Sequence, residues 1–155
     1  MIRTLENLSR IVDKAVAQAK TEDLELKSLL EARLAPDMHP FTRQIQMASD
    51  GARNVARLAG SEPPSMPDTE TTFPELKERI AKTIAFLKSV PKEKVEGAES
   101  RTIQMKIPNR TLEFPGNVYL TAFVLPNFYF HVTTAYDLLR HKGIQIGKMD
   151  FLGGL

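Results

Sequence analysis

The sequence has 155 residues, of which 42% are hydrophobic and 26% are charged. This length and composition fit one globular domain, over residues 1–155, that can bury its own core. Lysine and arginine total 21 against 19 acidic residues, and the resulting net charge of +2 predicts neither a nucleic-acid partner nor a membrane partner. The absence of cysteine excludes disulfides, a thiolate nucleophile and zinc sites built on sulfur.

The sequence also predicts a cytoplasmic location. Charged and polar residues recur throughout Met1–Glu6, where a signal peptide would need an apolar run. The longest apolar run, 118–130, is interrupted by Pro126 and Asn127 and is shorter than the ~20 residues of a membrane span.

Apolar spacing predicts an amphipathic helix from Thr4 to about Ala19. A second, shorter helix is predicted over residues 24–34, and it ends before Pro36 because proline disfavours a helical conformation in the residue that precedes it. A third helix should begin near His39 and run to Ala59, with Gly60 as its stop.

Three prolines between residues 60 and 68 predict a stiff, extended connector. Thr72 and Glu75 then match a capping box, in which each side chain bonds the backbone near the other, and a helix follows to about Val90. Alternating apolar residues in 102–107 and 111–114, separated by a turn, predict a small β-hairpin.

The last long helix is predicted to run to His141, with Asn117 as its N-cap and a kink at Pro126. The tail, residues 144–155, alternates polar and apolar residues. The complete pattern predicts an all-α fold: a four-helix bundle with one short extra helix and a small β-hairpin before the last long helix.

Two polar residues share one face of the last helix. Asn127 and His131 are four positions apart, which places them about 40° apart around the helix axis. Imidazole is a good ligand for zinc, nickel or iron, whereas an amide oxygen is a weak one. Two hypotheses stay open: a ligand or metal site, or a buried Asn and His that are satisfied by hydrogen bonds.

Gln44 falls on the buried stripe of the third helix, whereas Gln46 and Asp50 fall on the opposite side. A polar residue on an apolar stripe needs a partner, and Asn127 and His131 are natural candidates. The alternative is that Gln44 lies at the edge of the stripe and reaches water. Asp50 is a weaker candidate metal ligand.

Neighbours of His131 on the last helix are candidates for the lining of a pocket. Tyr129 and Thr134 are assigned this role, whereas Phe128 and Phe130 are expected to be core residues.

The other two histidines have structural explanations. His39 is expected in a surface loop, and His141 at a helix C-terminus, where the helix dipole favours a cation. The sequence contains none of the P-loop, Rossmann, nucleophile-elbow or H-E-x-x-H motifs.

The sequence resembles an uncharacterised bacterial family within the DinB-like, or DinB/YfiT-like, superfamily of metal-binding proteins. The stretches that carry the resemblance are Leu30–Met38, Arg43–Gln46, Arg57–Gly60, Asp68–Phe73 and Leu125–Leu152. The superfamily implies a four-helix bundle, often a homodimer, with a divalent metal on three histidines. One of these comes from the second main helix, and two form an H-x-x-x-H pair on the last helix.

This sequence departs from that pattern. The pair reads Asn127-x-x-x-His131, and the second main helix has no histidine in its body. The resemblance therefore implies a metal role only for His131, with Asn127 in the place of the missing partner.

Three hypotheses of function follow, and whether the protein is an enzyme stays open. In the first, the bundle has an interior polar pocket of Gln44, Asn127, His131, Thr134 and Tyr129, which binds a small molecule and retains a degenerate metal site. In the second, the protein is a hydrolase or thiol transferase that uses zinc, nickel or iron bound by His131. In the third, it is a structural or dimerisation protein.

Overall fold

The computed structural model describes residues 1–154, which are mostly helical with one small two-stranded antiparallel sheet. The regular elements, in chain order, are α1 (Ile2–Thr21), α2 (Leu26–Leu30), α3 (Phe41–Arg53), α4 (Phe73–Ser89), α5 (Lys92–Val95), β1 (Thr102–Ile107), β2 (Arg110–Pro115), α6 (Gly116–Val118), α7 (Leu125–His141) and α8 (Lys148–Leu152). Within residues 1–154, no helix combines the length and the hydropathy that crossing a bilayer requires.

The main core lies between the four long helices. Helix α3 packs against α7 and α4, and α1 packs against α4 and α7. Each helix contributes its apolar stripe, as the sequence pattern predicts. The largest fully buried apolar side chains are Leu5, Leu8, Ile11, Leu29, Phe41, Ile45, Leu76, Ile80, Phe128, Leu138 and, at the hairpin, Tyr119.

Helix α2 is shorter than the predicted 24–34. It ends at Leu30 because the next carbonyl groups bond α3 instead of continuing the helix. The Ala32 carbonyl accepts a hydrogen bond from the Phe41 N–H at 2.9 Å, and the Leu30 carbonyl accepts one from the Thr42 hydroxyl at 3.1 Å. These two bonds fix the loop that leads into α3.

The third predicted helix is present, and its end is at the predicted residue. Its α-helical part stops at Arg53, and residues Asn54–Ala59 continue as a 3₁₀ helix. Gly60 then adopts a left-handed conformation, with φ of +73°, which favours glycine.

A cluster of charged residues ties the connector between α3 and α4 to both helices. The Arg79 side chain is 1% exposed. Its guanidinium donates to Glu70 Oε1 at 2.9 Å, to Asp50 Oδ1 at 2.7 Å and to the Pro67 carbonyl at 3.0 Å. Asp68 Oδ1 lies 3.0 Å from the same guanidinium. Because Glu70, Asp68 and Pro67 belong to the connector, this one side chain fixes its path.

The connector changes the environment of Gln46. We expected Gln46 on the face opposite the core, yet it is only 4% exposed. The expectation of exposure is wrong because the connector covers this side of α3, and Gln46 Nε2 donates to Glu70 Oε2 at 2.9 Å. Helical periodicity alone contains no information on what a distant loop will cover.

The capping box at the start of α4 is confirmed. The Glu75 N–H donates to Thr72 Oγ1 at 3.4 Å, and the Thr72 N–H donates to Glu75 Oε2 at 2.9 Å. Helix α4 ends at Ser89, near the predicted residue. The one-turn helix α5 that follows Pro91 was not predicted.

The predicted hairpin is confirmed. Strands β1 and β2 pair in an antiparallel register with Met105 opposite Leu112, and Asn109 at the turn has φ of +72°. The hairpin covers a second apolar cluster that lies beyond the end of α3. Its buried members are Leu58, Ala98, Ile103, Met105, Tyr119 and Val124.

The start of the last helix differs from the prediction. A short turn, α6, begins after Pro115, so Asn117 is not the N-cap; instead, Asn117 Oδ1 accepts from the Val118 N–H at 2.8 Å. Residues Tyr119–Val124 form a π-helical segment before α7. Pro126 has no N–H for the carbonyl four residues earlier, and a π-helical register lets the next N–H take that carbonyl.

The tail contains a helix, α8, which the alternating polar and apolar residues of 144–155 did not predict; Leu155 lies outside the described residues. Asp150 Oδ2 accepts from the Gly147 N–H at 2.8 Å, which caps α8. Two contacts hold α8 on α1: Asn7 Nδ2 donates to the Phe151 carbonyl at 2.7 Å, and Lys14 Nζ lies 2.5 Å from Asp150 Oδ1.

The substitution Arg79→Ala should lower the free energy of unfolding by about 3 kcal/mol, because it leaves Glu70 poorly solvated and without its partner. Urea denaturation measures this change. The control is Lys82→Ala, at a side chain that is 62% exposed on the same helix, which should change the free energy by less than about 0.5 kcal/mol. Equal effects of the two substitutions would show that the Arg79 cluster does not stabilise the fold.

The same cluster should make stability depend on pH. Burial by itself would raise the pKa of Glu70, but the hydrogen bonds from Arg79 and Gln46 outweigh burial, and the pKa lies below the ordinary 4.5. The stabilisation is therefore complete above pH 4.5 and is lost as the pH falls through the lowered, folded-state pKa.

We therefore expect the difference in free energy of unfolding between wild type and Glu70→Gln to be largest near neutral pH. It should shrink when the pH is lowered below 4.5, as followed by urea denaturation at each pH. The matched control is Glu78→Gln, where the side chain is 63% exposed, and its difference from wild type should stay small throughout. A Glu70→Gln difference that does not vary with pH would contradict the expectation.

Candidate functional site

A hydrogen-bonded chain joins α7 to the start of α3. His131 Nδ1 lies 2.8 Å from Gln44 Oε1, and Gln44 Nε2 donates to the His39 carbonyl at 3.1 Å. Gln44 is 2% exposed and His131 is 4% exposed. The predicted partnership between Gln44 and the last helix is therefore present, and Gln44 does not reach water.

This chain determines which nitrogen of the His131 ring carries the proton. The His39 carbonyl can only accept, so the Gln44 amide must turn its NH₂ group toward it and its oxygen toward His131. An oxygen acceptor requires a proton on Nδ1. In the neutral ring, His131 Nε2 is then unprotonated and has a free lone pair.

The surroundings keep the imidazole neutral. Burial lowers the pKa of His131 below the ordinary 6.5, and the nearby positive charges of His39 and Arg43 lower it further, against an opposing effect of Asp50. Because the unfolded chain binds this proton more readily than the folded chain does, the neutral ring's contribution to stability is complete above pH 6.5 and is lost as the pH falls through the lowered, folded-state pKa.

The other ring nitrogen, His131 Nε2, has no partner among the described residues. Within residues 1–154, the fully buried side-chain nitrogen and oxygen atoms without a hydrogen-bond partner are Ser49 Oγ and the Nε atoms of Arg53, Arg57 and Arg79. His131 Nε2 has no hydrogen-bond partner in this part of the chain either, and it does not belong to that fully buried group.

Asn127 lies one turn before His131 and is half-buried. A Cβ atom added to Gly51 would lie 3.2 Å from Asn127 Nδ2 and 3.5 Å from the Phe128 Cα. Glycine at this position of α3 thus leaves room for the Asn127 amide and for a close approach of the two helices. Sequence reasoning did not identify Gly51, although a glycine inside a helix, where it costs up to about 1 kcal/mol, is a signal of close approach.

The remaining predicted neighbours lie around His131 in different ways. Thr134 is buried, and its hydroxyl donates to the Phe130 carbonyl of its own helix at 2.7 Å. The Tyr129 ring is 41% exposed and packs edge-on against Phe128. Phe128 is buried, as expected, but Phe130 is 57% exposed, so its assignment to the core is wrong. Phe130 follows Phe128 by two positions, about 200° around the helix axis, so it lies on the opposite side of α7 from Phe128.

His39, His141 and Asp50 do not contribute side chains to the hydrogen-bonded chain at His131. His39 is exposed in a loop, as predicted. His141 ends α7, which confirms its predicted place at a helix C-terminus, and it is exposed. The Asp50 carboxylate is 40% exposed and pairs with both Arg53 and Arg79.

The donor set does not fit the divalent metal that the resemblance implies. Within residues 1–154, no group of three His, Cys, Asp or Glu side chains is arranged to hold a metal ion. His131 offers one imidazole, Asn127 is a weak amide donor, and Asp50 is neutralised by Arg53 and Arg79. These residues therefore support no metal-dependent step.

Five of the surface cavities among the described residues have volumes from about 160 to about 590 Å³. None of the five is lined by His131 or Asn127. The polar pair therefore lies outside these five cavities.

Both the fold and the sequence are similar to those of known proteins. A crystal structure of a DinB family member protein from Shewanella denitrificans superimposes with a TM-score of 0.90 at 39% sequence identity, covering 99% of this chain and 88% of that chain. The fold is thus DinB-like. The sequence matches the family described as a domain of unknown function, DUF1993, over residues 1–152, and the chain belongs to that family. No curated protein matches the sequence. The resemblance seen in the sequence is confirmed.

The Gln44 hydrogen bond should control the protonation of His131. In Gln44→Glu, a carboxylate faces Nδ1 and should raise the pKa of His131, whereas Gln44→Leu should lower it further and release the ring from the single tautomer. Nitrogen-15 NMR titration of the imidazole rings measures both the pKa and the tautomer. The exposed His141 provides an internal control, because its ring signals should follow the same pH dependence in wild type and in both variants. A His131 titration that is the same in all three proteins would contradict the hydrogen bond.

Proposed function

We propose that this protein binds a small polar molecule through His131 Nε2 and the Asn127 amide, in a four-helix bundle formed by α1, α3, α4 and α7. The observation that carries the proposal is the 2.8 Å hydrogen bond between His131 Nδ1 and Gln44 Oε1. It orients the ring, fixes the tautomer and leaves Nε2 as a hydrogen-bond acceptor without a partner in residues 1–154.

The chemistry of the two groups defines the ligand class. A neutral imidazole nitrogen accepts a hydrogen bond from an N–H or O–H group, and an amide both donates and accepts. Because the lowered pKa keeps His131 neutral near pH 7, the ligand need not be an anion. A small amide, alcohol or amine, which presents such a donor, fits these requirements.

Several features favour binding over catalysis by a metal hydrolase or thiol transferase. Such an enzyme would need further ligands beside His131, and the carboxylate of Asp50 is already paired with two arginines. Thr134 donates its proton to its own helix and offers no nucleophile. We assign no reaction to the site.

A second candidate function is association of two copies through the outer face of α7. It is favoured by the exposure of Tyr129 and Phe130, at 41% and 57%, side by side on that helix. Large apolar side chains exposed together are typical of contact surfaces.

The test compares wild type, His131→Ala and His141→Ala in ligand-observed NMR with a panel of small amides, alcohols and amines. At least one compound should bind wild type and the His141 variant, and it should bind the His131 variant about tenfold more weakly, since one hydrogen bond of about 1.4 kcal/mol is lost. Equal binding to all three proteins would refute the proposed site. No binding, combined with a dimer in sedimentation equilibrium, would favour the second candidate.

A metal measurement on the same proteins, purified without a histidine tag, completes the test. After incubation with zinc, nickel or iron and desalting, the wild type should retain far less than one equivalent of metal. Stoichiometric metal that is lost in His131→Ala would contradict the proposal and support the metal-dependent enzyme.

A further inference from the structure

A groove of about 590 Å³ lies between the second half of α1, helix α2 and the start of α4. Its apolar lining comes from three separate elements: Val16 of α1, Leu26 and Leu30 of α2, and Phe73 and Pro74 of α4. Phe73 and Leu30 are buried, whereas Leu26 is 36% exposed. The groove thus has a closed apolar floor and an open apolar wall.

The volume falls in the range of small-molecule sites, about 300 to 1,000 Å³. No residue that lines this groove belongs to the polar site at His131. The groove is therefore a separate feature of the molecule.

Three charged side chains stand at the groove, and they are not equivalent. Lys77 of α4 pairs with Asp13 of α1, so these two charges offset each other. Lys20, at the end of α1, makes no ion pair and no side-chain hydrogen bond with any residue between 1 and 154, and it is exposed. The groove therefore presents an apolar surface with one uncompensated positive charge at its edge.

We propose that this groove binds an amphipathic anion of the fatty-acid class, a carboxylate on a medium-length alkyl chain. The chain lies along Leu26 and Phe73, and the carboxylate pairs with Lys20. A bound cation has no free carboxylate to pair with, because Asp13 is already held by Lys77. An apolar chain without a charge would fill the groove but leave the Lys20 ammonium without an ion-pair partner.

The shape favours a single flexible chain over a partner helix. A helix in a groove needs anchors repeated over two or more turns, and here the exposed wall is the five-residue α2. An alkyl chain follows a short, irregular apolar surface without that requirement.

Isothermal titration with dodecanoate, below its micelle concentration, tests the proposal on the full chain. Dodecanoate should bind with one site per chain, and Lys20→Glu should weaken it about tenfold or more, through loss of the charge pair and repulsion. Lys82→Glu, at a 62% exposed lysine of α4 outside the groove, is the matched control and should bind as wild type does. His131→Ala should also bind as wild type does, which separates this site from the polar one.

Two further ligands and one further variant sharpen the result. Butyrate, which keeps the charge but lacks the chain, and dodecyltrimethylammonium, which keeps the chain but reverses the charge, should each bind at least about tenfold more weakly than dodecanoate. Leu26→Ser should weaken dodecanoate without altering the fold, because Leu26 is already partly exposed.

The proposal would be overturned by absence of dodecanoate binding, by equal binding to Lys20→Glu, or by equal binding of the quaternary ammonium. Binding only to vesicles of an anionic phospholipid, and not to free dodecanoate, would assign the groove to a membrane surface instead. A dimer that is dissociated by Leu26→Ser would assign it to a second copy of the chain.

Discussion

The buried guanidinium of Arg79 fixes the connector against one face of α3 and so distinguishes that face from the one that packs on α7. Arg79 is 1% exposed, and it bonds Asp50 of α3 together with Glu70 and Asp68 of the connector. Burying a guanidinium is costly unless its charge is paired, and both terminal nitrogens of Arg79 are bonded, although its Nε has no partner. The connector supplies two of the paired carboxylates, so it has to follow the helices closely. The position of the connector in turn buries the outer face of α3.

The face of α3 opposite the connector packs on α7. Gln44 and Gly51 both lie on this side: the first bonds His131, and the second leaves space for Asn127. Asp50 and Gln44 are six positions apart on one helix, yet one carboxylate belongs to the ionic cluster and one amide belongs to the polar site. The cluster of charged residues around Arg79 thus lies on one side of α3, and the neutral hydrogen-bonded chain of Gln44 and His131 lies on the other.

Much of the fold could be predicted from the sequence, because helical stripes, prolines and capping residues act over short distances. The Thr72–Glu75 box, the hairpin and the stop at Gly60 are examples of such local control. The burial of Gln46 and the exposure of Phe130 could not be predicted in this way, since both depend on which distant segment packs against the helix. At the site, helical periodicity was sufficient to predict that Gln44 faces the last helix and contacts His131. The carbonyl of His39, which orients the amide, belongs to a loop that has no periodicity.

The π-helical segment Tyr119–Val124 determines how α7 is rotated about its axis relative to the hairpin. A π-helical segment contains more residues per turn than an α-helix, so it acts as a local insertion between the hairpin and α7. In an α-helix each residue turns the chain by about 100°, so a chain one residue shorter here would rotate α7 by about that angle relative to the hairpin. Asn127 and His131 would then point away from α3. The π-helical segment thus sets the rotation of α7 relative to the hairpin, and with it the direction in which Asn127 and His131 point.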